Sequence, residues 1–216
     1  GAAIGASVGK SVEEIWISGG NVTAKSSGGA GIGTGSANGQ KRTGKIVIEG
    51  GTVNASSSNG AGIGSGIGYA RSKPAMAITA DIEIHGGMIT AYSEQGACIG
   101  SGKDSSSKVL INGGTICLDI KESWERSIAH IGMGKNDNTQ APTDVKIKGG
   151  TICLIRANGY ISRPIIYGWE QVDGNGQQNK PKDGNGNPVY YTTADLTGIH
   201  EKDAPVETAK LEDISY

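Results

Sequence analysis

The chain has 216 residues, of which 37 are Gly and none is Phe, with 36% hydrophobic residues and a formal net charge of −1 at pH 7. Glycine at more than twice its average usage, without a Gly-X-Y period, excludes collagen and leaves few bulky side chains for a wide core; the Ile, Val and Ala that remain suit short strands with thin layers between them. Charges of both signs are scattered, no basic patch or basic amphipathic helix argues for nucleic acid, and no run of 18 apolar residues marks a membrane span.

The chain begins inside a phrase, "GAAIGA", that returns as "GGAGIGTG" (Gly28–Gly35), "NGAGIGSG" (Asn59–Gly66), "GACIGSG" and "AHIGMG". A start inside a repeated phrase reads as the start of a fragment. A second marker is the Gly-Gly doublet, at Gly19, Gly50, Gly86, Gly113 and Gly149. Each doublet follows an alternating apolar run ("IWIS", "IVIE", "IEIH", "VLIN", "VKIK") and precedes another ("NVTA", "TVNA", "MITA", "TICL", "TICL"). From the first Gly of the doublet to the Ile of the Gly-rich phrase is 13 residues in the first three repeats and 18 in the fourth; from that Ile to the next doublet is 14 to 23 residues. A fixed core with variable corners is the mark of a solenoid, and three period-2 segments per repeat make its turns three-stranded. The expected fold is all-β: a right-handed parallel β-helix of about five coils over residues 1–159. A turn-rich linker follows over 160–185, and a small β domain, cut short, begins at 186 and runs to 216.

Alternation predicts the inward set. It is Ile15, Ile17, Val22, Ala24, Ala30 and Ile32 in coil 1, then Ile46, Ile48, Val53, Ala55, Ala61 and Ile63 in coil 2. Coil 3 supplies Ile82, Ile84, Ile89, Ala91, Ala97 and Ile99. Coil 4 supplies Val109, Ile111, Ile116, Leu118, Ala129 and Ile131, and coil 5 Val145, Ile147, Ile152 and Leu154. One outward column reads Thr23, Asn54, Thr90, Cys117, Cys153, which sets two cysteines on adjacent strands, either bonded or as stacked thiols. Cys98, the third cysteine, takes the variable place of "ACIG" and is expected to point outward alone. Three cysteines without a CxxC make neither a disulfide framework nor a zinc site.

Two corners are enlarged. Residues 66–80 offer Tyr69, Arg71 and Lys73; residues 119–130 offer Asp119, Glu122, Trp124, Glu125, Arg126 and His130. A sugar wants a flat aromatic face with polar groups around it, so Trp124, with Glu125 and Arg126, is the first candidate anchor. Tyr69 joins it at the other corner, and outward Tyr92 and Trp16 would extend a face. The alternative for Trp124 is that it folds its own loop onto the outer wall. Asp81, Glu83 and His85 share one face of one strand and form the candidate acid/base or metal cluster, against the reading that they are plain solvated surface. The neighbouring columns hold Val47, Leu110, Glu49 and Asn112, and a groove for uronates would want more Lys and Arg there. Nucleophile elbows, P-loops, zinc motifs and EF-hand spacing are absent. No catalytic residue, metal or cofactor is therefore assigned, and the reading leans away from an enzyme.

The phrases "ISGGNVTA" (Ile17–Ala24), "IEGGTVNA" (Ile48–Ala55) and "GAGIGSG" (Gly60–Gly66), with the tail phrase "GNPVYYTT" (Gly186–Thr193), resemble the Gly-rich repeat regions of large surface proteins of Gram-positive gut bacteria. The resemblance implies a pectate-lyase-like β-helix and a carbohydrate-binding or adhesin role, without a shared catalytic motif. It implies a secreted or cell-wall-attached location, a glycan or host surface glycoprotein as partner, and other domains of the same larger protein. Neither nucleic-acid binding nor membrane insertion is expected. The alternatives are a structural spacer, or an accessory region of a larger secreted hydrolase or polysaccharide lyase. The fourth coil, with "AHIGMG" and the insertion "DIKESWERS", departs from the pattern.

Overall fold

The computed structural model describes residues 1–36, 42–68, 78–120, 130–134 and 143–156, with three two-residue strands near the C-terminus. Among these residues the only regular elements are strands, in an order that repeats. After β1 (Ile4–Gly5), coil 1 contains β2 (Glu14–Ile17), β3 (Asn21–Ser26) and β4 (Ile32–Gly33). Coil 2 contains β5 (Arg42–Ile48), β6 (Thr52–Ser57) and β7 (Ile63–Gly64), and coil 3 contains β8 (Ile78–Ile84), β9 (Met88–Ser93) and β10 (Ile99–Gly100). Coil 4 contains β11 (Ser106–Ile111), β12 (Thr115–Ile120) and β13 (Ile131–Gly132); coil 5 contains β14 (Thr143–Ile147) and β15 (Thr151–Arg156).

Strands of the same kind pair in parallel, coil on coil, to give three walls: sheet 1 (β2, β5, β8, β11, β14), sheet 2 (β3, β6, β9, β12, β15) and short sheet 3 (β1, β4, β7, β10, β13). This is a parallel β-helix of about five coils. The five spellings of one Gly-rich phrase are the five strands of sheet 3, with Ile4, Ile32, Ile63, Ile99 and Ile131 in register.

The inward set is as alternation requires. In coils 2 and 3 all twelve of those side chains are buried, and Ile stacks on Ile along the axis. At the first coil Ile15 and Val22 are only partly buried, packed against the core. Ala129 and the Leu154 side chain lie outside the described residues.

Sheet 3 explains the glycine. Gly33, Gly64 and Gly100 have φ of +135°, +136° and +137°, a region L side chains rarely adopt. A methyl built on any of them would also strike the carbonyl of its counterpart in the next coil. Both demands fall on one position per coil.

One expectation fails here. Cys98 does not face outward; it is 1% exposed and belongs to the core. Alternation presumes a strand with an open far face. The two-residue strands of sheet 3 have none, because the variable position of the phrase abuts the strands of sheet 2. At the matching Gly31, a Cβ would stand 2.9 Å from the Ser56 backbone, and at Gly62 it would stand 2.8 Å from the Tyr92 carbonyl oxygen.

Cys117 and Cys153 are paired in register between β12 and β15, as the outward column requires. Three further strands, β16 (Lys182–Asp183), β17 (Ala209–Lys210) and β18 (Ile214–Ser215), follow. β17 pairs antiparallel with β15, and β18 pairs antiparallel with β14 and with β16, so β17 and β18 line the edge of coil 5 and β16 lies beyond β18. The remainder of 157–216, and with it most of the linker and the small β domain drawn from the sequence, lies outside the described residues.

Candidate functional site

The same coils present different chemistry on their two long walls. On sheet 1 the outward columns neutralise themselves. Glu14, Lys45 and Asp81 are register partners in succession, as are Val47, Glu83 and Leu110. The Lys45 ammonium lies 3.6 Å from Glu14 Oε1 and 3.6 Å from Glu83 Oε1. Lys45 is held between the two carboxylates, and Glu83 chiefly raises its pKa above the ordinary 10.5; partial desolvation opposes this, and Glu14 adds to it. The other oxygen of Glu83 accepts from His85 Nε2 at 3.4 Å, and Asn112 Nδ2 donates to His85 Nδ1 at 3.2 Å, which puts the ring proton on Nε2.

So the structure brings Glu83 and His85 together and turns both toward protein partners. Both oxygens of Glu83 and both ring nitrogens of His85 are engaged. Asp81 is exposed one rung from Lys45. Among the described residues no three His, Cys, Asp or Glu side chains come close enough to hold a metal ion.

On sheet 2 the outward side chains enclose an open trough of about 380 Å³ across coils 1, 2 and 3. Its floor is two columns. Thr23, Asn54 and Thr90 are register partners, and so are Lys25, Ser56 and Tyr92. Glu94, just past β9, closes one corner. Thr23, Asn54, Lys25 and Glu94 are exposed; Thr90, Ser56 and Tyr92 are half-buried. The lining is hydroxyl and amide groups beside one aromatic ring, with one cation and one anion at the margins.

A pair of hydroxyl ladders runs inside the β-helix, and the sequence reading missed them. The last residues of β3, β6 and β9 are Ser26, Ser57 and Ser93. Ser57 Oγ donates to Gly29 O at 2.7 Å and accepts from Gly60 N at 3.0 Å. Ser93 repeats this one coil on, with Gly60 O at 2.7 Å and Gly96 N at 2.8 Å. The second ladder runs through sheet 3: Gly66 N donates to Thr34 Oγ1 at 3.0 Å, Gly102 N to Ser65 Oγ at 3.1 Å, and Gly134 N to Ser101 Oγ at 2.9 Å. The signal was present as the Thr or Ser that follows the Gly-rich phrase in coils 1, 2 and 3 (Thr34, Ser65 and Ser101) and a Ser closing "NVTAKS", "TVNASS" and "MITAYS".

Of the sugar-site residues expected from sequence, Tyr92 is in the trough. Trp16 is 65% exposed, but on sheet 1, so it does not extend the face that Tyr92 belongs to. Tyr69, Arg71, Lys73, Glu122, Trp124, Glu125 and Arg126 lie outside the described residues, as does the Asp119 side chain. His130, from the enlarged fourth corner, is in the interior: it is 1% exposed, with Nδ1 3.4 Å from Cys98 Sγ.

No helix among the described residues is long and apolar enough to cross a membrane. None of the curated proteins and none of the solved structures matches the chain. The family model described as beta helix repeat matches residues 15–36, 46–67 and 82–103, which are the bodies of coils 1, 2 and 3. The three coils that carry the trough are thus a parallel β-helix repeat region.

Proposed function

We propose that this chain is a non-catalytic module that binds glycans or host surface glycoproteins, carried by a secreted or wall-attached bacterial protein. The observation that carries the reading is the sheet 2 trough, where Tyr92 stands beside Thr23, Asn54, Thr90 and Ser56. An aromatic face with convergent neutral donors and acceptors suits a sugar, whose ring offers an apolar face and a rim of hydroxyls. The catalytic alternative would draw on Glu83 and His85, and their existing partners argue for a structural network there.

The test is a binding screen of the purified chain against mucin, plant polysaccharides and a glycan array, with Tyr92→Ala and Trp124→Ala alongside. Binding that Tyr92→Ala abolishes supports the module and its site. Silence from a folded, monodisperse protein favours the spacer reading.

A further inference from the structure

Resting on the glycan-binding reading, we infer that the sheet 2 trough takes an uncharged oligosaccharide of about three units, laid along the axis of the β-helix with one unit per coil. Direction comes from spacing. Thr23, Asn54 and Thr90 are Cα partners on successive strands, so their side chains repeat every ~4.8 Å along the axis. That interval is about the length of one pyranose unit. Along a strand the next outward side chain is two residues away, roughly 6.8 Å, which overshoots it. Only the axial direction gives each sugar ring its own hydrogen-bonding rung.

Class comes from charge and chemistry. Thr, Asn and Ser both donate and accept without charge, matching sugar hydroxyls. The two charged side chains at the margins, Lys25 and Glu94, are of opposite sign, so the trough has no net charge. A uronic or sulfated polymer would call for a cation at each rung. Length comes from the column itself. Its next rung beyond Thr90 is Cys117, a weak donor with no hydroxyl. Tyr92, in the third coil, supplies the stacking face at that end.

The experiment is titration of the intact chain by calorimetry or ligand-observed NMR. The probes are neutral gluco-, xylo-, manno- and chito-oligosaccharides of one to six units, with galacturonic and sulfated oligosaccharides as the charged set. Affinity should climb to about three units and then level off, as the rungs run out. Tyr92→Ala and Asn54→Ala should each weaken trimer binding about tenfold or more. Thr23→Ala, at the far rung, should weaken the trimer and leave the dimer unchanged. A rise from low to high salt should change the affinity less than about twofold. All three side chains face outward, and urea melts of each variant check that the fold is kept.

Binding confined to the charged set, and falling with salt, overturns the ligand class. Neutral-glycan binding indifferent to Tyr92, Asn54 and Thr23 overturns the site while leaving the glycan-binding module intact. A folded chain that binds no member of either set overturns both.

Discussion

The buried short side of the β-helix and its outer walls obey opposite rules. In sheet 3 the same Ile and Gly recur in all five strands, because each rests on its own counterpart one coil away. On the outer walls the residue changes at nearly every rung: Trp16, Val47, Glu83 and Leu110 on sheet 1, Lys25, Ser56 and Tyr92 on sheet 2. The difference teaches where the sequence is constrained by stacking and where it is at liberty to carry chemistry. Substitutions inside should cost much stability and substitutions outside little.

The largest expected effect tests the interior. Gly64→Ala forces a side chain into φ of +136° and into the Gly100 carbonyl. Strain and overpacking together should destabilise by about 3–5 kcal/mol, enough to lose coils 2 and 3 in a urea melt. Asn54→Ala in the same coil, on the outer wall, should leave the melt unchanged. Equal losses from the two would erase the distinction between short side and wall.

Next is the hydroxyl ladder. Ser93→Ala removes the donor to Gly60 O and the acceptor for Gly96 N, leaving both buried without that partner, at a cost of about 2–3 kcal/mol. Ser56→Ala, one rung away on the outside, is the control. A Ser93 variant as stable as its parent would show that the ladder only fills space.

The sequence made the walls legible because alternation in strands of four to seven residues has one physical meaning when one face is buried. It misled at Cys98, since two residues are too few for a period and the far face there is covered. The ladders at Ser57, Ser93, Thr34 and Ser65 were overlooked because a serine defaults to solvent; only its recurrence at one place in three repeats marks it as interior. The trough was half legible. Tyr92 stood out as an aromatic on an outward position, whereas Thr23, Asn54 and Thr90 looked like any solvated column until the register set them in line. Trp16 was read correctly as outward and wrongly as sharing a face with Tyr92, because which wall a strand joins depends on the turn at each doublet.

The smallest expected effect is on sheet 1, where Lys45 joins Glu14 and Glu83. Its pKa is raised in the folded chain, chiefly by Glu83, above the ordinary 10.5. A raised cationic pKa stabilises the fold below 10.5 and ceases to do so as pH climbs through the folded value. Lys45→Met keeps the alkyl stem and removes the charge. Its urea midpoint should sit slightly below that of the parent at neutral pH, by less in high salt, and merge with it at strongly alkaline pH. Comparison at each pH cancels the other lysines and tyrosines that titrate there. A gap that persists at alkaline pH would assign the effect to packing of the side chain against Val47 and its neighbours, and the outer wall would then share the interior's dependence on shape.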